Sequence, residues 1–247
     1  MRAVEVNLFI PCSVNHFFPK TGFNTIRLLE HLGCKVHFKE NQKCCGLPFL
    51  NTGAFDDAME FGVKFLEENS SSVNYTVIPS GACLNMVRNN YKLFFDSSSH
   101  RNDYKNSRKK TFELSEFIVN VLKVENVKGA NFSGRAVYHD SCTALNFCQI
   151  KDAPRKLLKC INGLELLEFN ESSCCGFGAN YSLCSSKASQ NIVGKKVEEA
   201  LAMNADYIIS TDYSCLGHYA EYISKNKKAL KVIHLADVLA ESLLISQ

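Results

Sequence analysis

Short apolar runs alternate along this chain with longer stretches of helical periodicity. Residues 4–10 (Val-Glu-Val-Asn-Leu-Phe-Ile) read as a strand that runs straight into Pro11-Cys12. A helix is predicted from about Gly22, with Ile26, Leu29 and Leu32 near helical spacing and Gly33 as its stop. Lys35 to Lys39 is a second short strand that leads to Cys44-Cys45-Gly46. Thr52-Gly53 opens a helix to about Leu66, with Phe55, Met59 and Val63 on one face. Residues 75–78 form the next strand, followed by Pro79-Ser80-Gly81-Ala82-Cys83 and a helix to about Phe94. Residues 96–110 lose apolar periodicity and turn polar and basic, which predicts a flexible solvated segment. A helix from about Glu113 to Leu122 closes the first half.

The second half repeats the scheme. A strand through Ala136-Val137-Tyr138 leads to His139-Asp140-Ser141-Cys142, and Pro154 sits in the first turn of a helix that ends by Asn162-Gly163. Leu164 to Phe169 is strand-like and precedes Cys174-Cys175-Gly176. A helix from about Ala188 to Met203, a strand at 206–209 running to Cys215, and a closing helix from Leu235 to Leu244 complete the chain. Strands alternating with helices predict an α/β fold of two pseudo-equivalent repeats, 1–125 and 126–247, with short, mostly parallel strands. Each repeated cysteine follows a strand, so the cysteines are expected at the carboxyl ends of the strands, where such sheets collect ligands.

The cysteines define the duplication. Cys12 precedes Cys44 by 31 intervening residues, and Cys142 precedes Cys174 by the same number. Cys83 follows Cys45 after 37 residues and Cys215 follows Cys175 after 39. Eight of the twelve cysteines therefore recur in register, and an internal repeat of this kind outranks any local motif. Cys34, Cys148, Cys160 and Cys184 stand outside it and read as packing thiols.

Composition narrows the chemistry. A net charge of +3 with scattered Lys and Arg points to neither nucleic acid nor a membrane surface, and no apolar stretch is long enough for a membrane span. The N-terminal residues lack the apolar run of a signal peptide, so a cytoplasmic location is expected, where thiols stay reduced. Neither half has a Cys-x-x-Cys, the usual ligand pair of a structural zinc site. Adjacent cysteines diverge, which suits different iron atoms of one larger cluster better than one tetrahedral ion. Thiolate sets select zinc, copper(I) or iron–sulfur clusters. The spacing favours an iron–sulfur cluster over structural zinc or metal-free reactive thiols.

Several motifs occur in a telling order: Phe9-Ile10-Pro11-Cys12, Cys44-Cys45-Gly46-Leu47-Pro48, Ile78 to Cys83, Glu113-Leu114-Ser115-Glu116-Phe117, His139 to Cys142, Cys174 to Gly178, and Thr211 to Leu216. With them the whole chain resembles the cysteine-rich, Cys-Cys-Gly domain family of iron–sulfur oxidoreductases. The resemblance is closest to its two-repeat lactate-utilisation members. It extends more distantly to the iron–sulfur subunit of glycolate oxidase and to the cysteine-rich subunit of heterodisulfide reductase. It implies a redox subunit, in electron transfer or catalysis, of a cytoplasmic complex that oxidises a small 2-hydroxy acid, L-lactate, to pyruvate. It also implies companion subunits, one carrying cubane iron–sulfur clusters. The implied cofactor is a [4Fe-4S] cluster or a non-cubane variant, one or two per chain. Cys12, Cys44, Cys45 and Cys83 would hold one, and Cys142, Cys174, Cys175 and Cys215 the other.

The chain departs from the heterodisulfide reductase pattern, in which a final Cys-x-x-Cys completes each site. Met86 and His218 occupy those fifth positions here, and Thr143 stands where the family often has histidine. His218 is a further candidate ligand, since histidine replaces cysteine in some clusters; a surface or capping role fits it equally. His139, Asp140 and Asp212 flank the second set and are candidate catalytic groups, as proton carriers or as groups that orient the ligands. Each also has an ordinary structural reading. Glycolate, a disulfide or a quinone-linked donor remain alternative substrates, and a zinc-binding structural or regulatory protein is the alternative outside redox chemistry.

Overall fold

The computed structural model describes residues 3–69, 75–178 and 181–244. The first half runs β1 (Val4–Leu8), α1 (Cys12–Phe17), α2 (Pro19–His31), β2 (Cys34–Phe38), α3 (Leu47–Thr52) and α4 (Phe55–Asn69). It continues with β3 (Tyr75–Ile78), α5 (Gly81–Asn85), α6 (Lys92–Phe95), α7 (Arg101–Lys110), β4 (Thr111–Glu113) and α8 (Leu114–Glu116). The second half runs β5 (Asn131–Tyr138), α9 (Asp152–Lys159), β6 (Asn162–Glu168), α10 (Tyr181–Cys184) and α11 (Ser186–Ala202). It ends with β7 (Tyr207–Ser210), α12 (Tyr213–Lys225), β8 (Lys231–His234) and α13 (Leu235–Leu244). Single π-helical turns cover Met86–Asn90, Phe117–Val121 and Thr143–Phe147.

The strands form two parallel sheets of the same order, β2-β1-β3-β4 and β6-β5-β7-β8. Even the register repeats: Val4 pairs with Cys34 and Leu8 with Phe38, while Gly134 pairs with Leu164 and Tyr138 with Glu168, each 130 residues on. The α/β expectation of two similar repeats holds. Parallel pairing needs a crossover between neighbouring strands, and the helices supply it. Because all strands of a sheet point the same way, every segment that follows a strand emerges at one edge.

The halves share a core. Val6 and Leu8 of β1, Ala136 and Tyr138 of β5, and Leu28, Leu114, Phe117, Leu157 and Leu239 from the covering helices bury one another in a single cluster. Each half donates a helix to the other: α13 packs on α2, and α9 packs on α8 and the turn after it. A second cluster around Phe65, Ile78 and Tyr91 flanks the first sheet, and one around Val193, Ile208 and Tyr219 flanks the second.

Residues 96–110 depart from expectation. Within the polar run, expected as a loop, Arg101–Lys110 forms α7, seated by buried Tyr104, whose hydroxyl donates to the Arg88 carbonyl at 3.0 Å. One aromatic anchor suffices for a helix whose other side faces water, and too few apolar positions remain to register as periodicity. The first long helix also begins earlier than expected, at Pro19, where proline suits a first helical turn. Of the cysteines outside the repeat, Cys34 and Cys148 are buried and Cys160 is partly buried, but Cys184 is exposed rather than packed.

Two contacts hold the halves face to face. Asp212 accepts hydrogen bonds from Ser80 Oγ at 2.6 Å and from the Ala82 amide at 3.1 Å, both in the opposite repeat. On the other flank Asp237 of α13 accepts from Thr21 Oγ1 at 2.6 Å and from Asn24 Nδ2 at 2.8 Å, both on α2. Between these, Gly81 lies against Ala144 so closely that an added Cβ would stand 2.5 Å from the Ala144 Cβ and 2.9 Å from its Cα.

Glu113 closes β4 as the cap of α8. Its Oε2 accepts from the Ser115 and Glu116 amides at 2.8 and 3.2 Å, while Oε1 is buried without a partner. The neighbouring Arg88 is engaged by Glu116 at 2.7 Å. Burial pushes the Glu113 carboxyl up to about 7, against the pull of its hydrogen bonds from Ser115 and Glu116.

Two outcomes are expected. Gly81→Ala gains up to about 1 kcal/mol of helix propensity, but overpacking against backbone costs about 1–3 kcal/mol. We expect a net loss of stability in denaturant titration; a variant as stable as the parent would show that the halves separate easily. For Glu113 the folded state holds its proton to higher pH than the unfolded chain, from 4.5 up to about 7. Its contribution is therefore full below the lower value and is lost as pH rises through the upper one, by on the order of 3 kcal/mol. Glu113→Gln should flatten stability across that window; an unchanged slope would contradict the assignment.

Candidate metal centres at the facing edges of the two sheets

The chain leaves β1, β2 and β3 at one edge of the first sheet and there presents Cys12, Cys44-Cys45 and Cys83. It leaves β5, β6 and β7 at the matching edge of the second and presents Cys142, Cys174-Cys175 and Cys215. Cys12 starts α1, and Cys83 lies in α5, whose cap Ser80 accepts from the Cys83 amide at 3.2 Å. Cys44 Sγ is 3.7 Å from Cys12 Sγ, and Cys45 Sγ is 3.4 Å from Cys83 Sγ.

The glycine of each Cys-Cys-Gly has a specific duty. Gly46 has φ +86° and Gly176 φ +89°, a left-handed conformation that side-chain-bearing residues rarely take. The turn aims each glycine amide back at the sulfur two residues earlier, at 3.5 Å for Cys44 and 3.4 Å for Cys174. It also carries the backbone close to the following helix: a Cβ on Gly46 would stand 2.8 Å from the Ala58 carbonyl oxygen, and one on Gly176 3.0 Å from that of Ser189.

Two thiols of each set are buried, Cys45 and Cys83 in the first and Cys175 and Cys215 in the second, and the others are partly or fully exposed. Proton sharing among so many close sulfurs splits their affinities. Cys12 and Cys142 are held well above the ordinary thiol range by hydrogen bonds to Cys44 and Cys174 and by burial. Cys44 gains from Cys12 but is pushed up to about 11 by Cys45 and burial. Cys175 is driven far up by Cys174, Cys215 and burial. Hydrogen bonds from Cys142 and Cys175 pull Cys174 well down, and Cys175 and then His139 hold Cys215 at about 6, against burial. Four neighbouring sulfurs cannot all ionise without positive charge among them, which is what bound metal supplies. The donor chemistry, four sulfurs gathered at each edge, and the sulfur-directed amides fit a polynuclear iron–sulfur centre at each edge.

Both edges open into one space. A cavity of about 540 Å³ is lined by every repeated cysteine except Cys44, with Ser80, Asp212 and Thr143 between the sets and Leu47, Pro48 and Phe177 among its apolar walls. Asp212 caps the helix of the opposite repeat, α5, instead of its own, and also accepts from Thr143 Oγ1 at 3.3 Å. No Lys, Arg or His lines this cavity among the described residues.

The remaining candidates lie elsewhere. Asp140 turns to a separate cavity of about 370 Å³, also lined by His139, Lys151 and Lys196, where both terminal nitrogens of Arg155 bind it at 2.8 and 2.7 Å. His218 is buried with Nε2 at 3.0 Å from Ser189 Oγ, which donates to the Gly176 carbonyl at 2.8 Å and so braces the second Cys-Cys-Gly turn. Met86 is fully buried in the first flanking core and begins a π turn. Among the described residues, His139 is the one histidine grouped with the thiols: a ring nitrogen and the sulfurs of Cys175 and Cys215 lie within 4.8 Å of one another. Sequence patterns did not foretell the π turns beside Cys83 and Cys142, a distortion found often at functional sites.

Known proteins resemble this chain over most of its length. A cysteine-rich domain family (CCG) matches twice, over residues 6–88 and 136–219. The chain is 39% identical over 237 residues to Lactate utilization protein A of Geobacillus sp. (strain WCH70), covering 96% of this chain and 99% of that one. It is 38% identical to the protein of the same name from Geobacillus kaustophilus (strain HTA426), covering 96% and 98%. A crystal structure of a hypothetical protein from Helicobacter pylori superposes with a TM-score of 0.68 at 12% identity, over 98% of this chain and 49% of that one, and shares the fold. The chain thus belongs to the cysteine-rich CCG domain family, among its Lactate utilization protein A members.

Proposed function

We propose that the protein is the two-centre iron–sulfur subunit of a cytoplasmic complex that oxidises L-lactate to pyruvate, with electron transfer as its share of the work. The observation that carries this reading is the single cavity into which both thiol sets open. Cys12, Cys44, Cys45 and Cys83 would hold one centre and Cys142, Cys174, Cys175 and Cys215 the other. When bound, such centres supply single-electron steps at a potential set by charge, hydrogen bonds and exposure. The protein's part is to keep two sulfurs of each set out of water, to direct the Gly46 and Gly176 amides at sulfur, and to fix the two edges relative to each other through Ser80 and Asp212.

The cavity's charge suits electron transfer better than lactate binding within it. Its lining carries the Asp212 carboxylate and no basic side chain among the described residues, so a 2-hydroxy acid anion meets no counter-charge there. Lactate oxidation then falls to companion subunits, of which the resemblance assigns cubane clusters to one. Asp212 has its carboxylate engaged on both oxygens and acts here as a positioning group.

Iron, acid-labile sulfide and zinc per chain, measured on anaerobically purified protein, test the reading. Iron with matching sulfide is expected, and Cys175→Ser should lose the second centre's share while the chain stays folded. Zinc alone, or no metal after anaerobic reconstitution, would replace the redox role with a structural one. Deleting the gene should abolish growth on L-lactate in a host without a redundant pathway; undiminished growth would remove lactate as the substrate.

A further inference from the structure

The repeats match in fold and thiols but not in the residue that follows the first strand of each sheet. His139 and Phe9 are equivalent: the His139 amide donates to the Ile209 carbonyl at 2.8 Å and the Phe9 amide to that of Val77 at 2.9 Å, the same bond in each sheet. Phe9 fills its corner with hydrocarbon, edge-on to Phe65 at 5.0 Å and in the same apolar cluster as Cys45 and Cys83. His139 brings two nitrogens into the corresponding corner at 1% exposure.

Those nitrogens are treated differently. Nδ1 lies 3.2 Å from the Tyr219 hydroxyl, which sits one helical turn after Cys215. Nε2 is buried without a nitrogen or oxygen partner, and the ring's other neighbours are sulfurs: a ring nitrogen lies within 4.8 Å of Cys175 and Cys215 Sγ, and His139 helps hold the Cys215 thiol down. An unmet buried nitrogen is costly, and native folds rarely leave one without a use. The first repeat has neither part of this device, since Val87 stands at the position equivalent to Tyr219. Metal-bound histidines commonly have the second nitrogen held by a hydrogen bond that fixes the ring, which is what Tyr219 does for Nδ1.

We propose that His139 is a nitrogen ligand to iron in the second centre, joining Cys142, Cys174, Cys175 and Cys215, and that the two centres of this chain therefore differ in kind. The inference rests on the iron–sulfur reading above. A cluster's donor set and net charge help set its potential, so a nitrogen ligand in one centre alone would separate the two potentials and give transfer between the centres a preferred direction. His218 does not compete for this place, because Ser189 holds its Nε2.

The test uses the full chain, labelled with ¹⁵N-histidine, reconstituted anaerobically and reduced stepwise under potentiometric control with pulsed EPR. Two centres of different potential are expected, and only one of them should show the coupling of a directly bound histidine nitrogen. His139→Phe, which copies the first repeat, should remove that coupling and shift the potential of that centre alone; His218→Asn should leave the coupling in place. A loaded parent protein without the coupling, or a coupling that survives in His139→Phe, overturns the ligand assignment while the iron–sulfur reading stands. The parent spectrum decides the matter even where the variant fails to fold. A chain that takes up no iron and sulfide overturns both readings.

Discussion

A hydrogen bond between residues in equivalent positions orders this molecule. Ser80 and Asp212 are 132 residues apart, the same offset as Cys83 and Cys215, and they meet at 2.6 Å. Contact between equivalent residues means that the pseudo-twofold axis passes close by, at the carboxyl edges of both sheets. Parallel strands send all six cysteine-bearing segments to those edges, and the axis turns the edges toward each other. Had the halves packed back to back, two separate open sites would result. The departure from symmetry at this point matters too. A second serine would leave the α5 amide at Ala82 unmet, whereas the carboxylate reaches both Ser80 and Ala82 and still accepts from Thr143.

Much of the fold was legible because parallel α/β chains write themselves locally. Each strand is a short apolar run, each crossover helix has its own periodicity, and the cysteines after the strands mark the edge. The Cys-Cys-Gly turns were readable for the same reason, since glycine at a left-handed position is a local demand. What escaped depends on distant partners. α7 is held by Tyr104 reaching the Arg88 carbonyl, and no composition count weighs one anchored ring properly. Asp140 looked like a neighbour of Cys142, but the two terminal nitrogens of Arg155 draw it to a separate cavity. Asp212 looked like the cap of its own helix and caps another.

The histidines show the limit most clearly. From spacing, His218 was the candidate ligand, because it occupies the position of a missing cysteine. Once α12 is placed, its Nε2 faces Ser189 and supports the turn rather than the sulfurs. His139 drew attention only as a polar group after a strand. Its ring stands among Cys175, Cys215 and Tyr219, which come from two other segments of the second repeat, and no pattern within residues 131–142 could have foretold that company.

Duplication supplies two equal sites, and equal sites at short range are a poor conductor of directed electron flow: with matched potentials an electron gains nothing by moving. Direction requires a difference, and the cheapest difference is a substitution that leaves the scaffold untouched. The corner occupied by Phe9 in one repeat and His139 in the other meets that condition, since both residues keep the same backbone hydrogen bond and both are buried. The proposed ligation would alter the donor set of one centre without altering a strand, a turn or a cysteine, and so would give a symmetrical fold a direction.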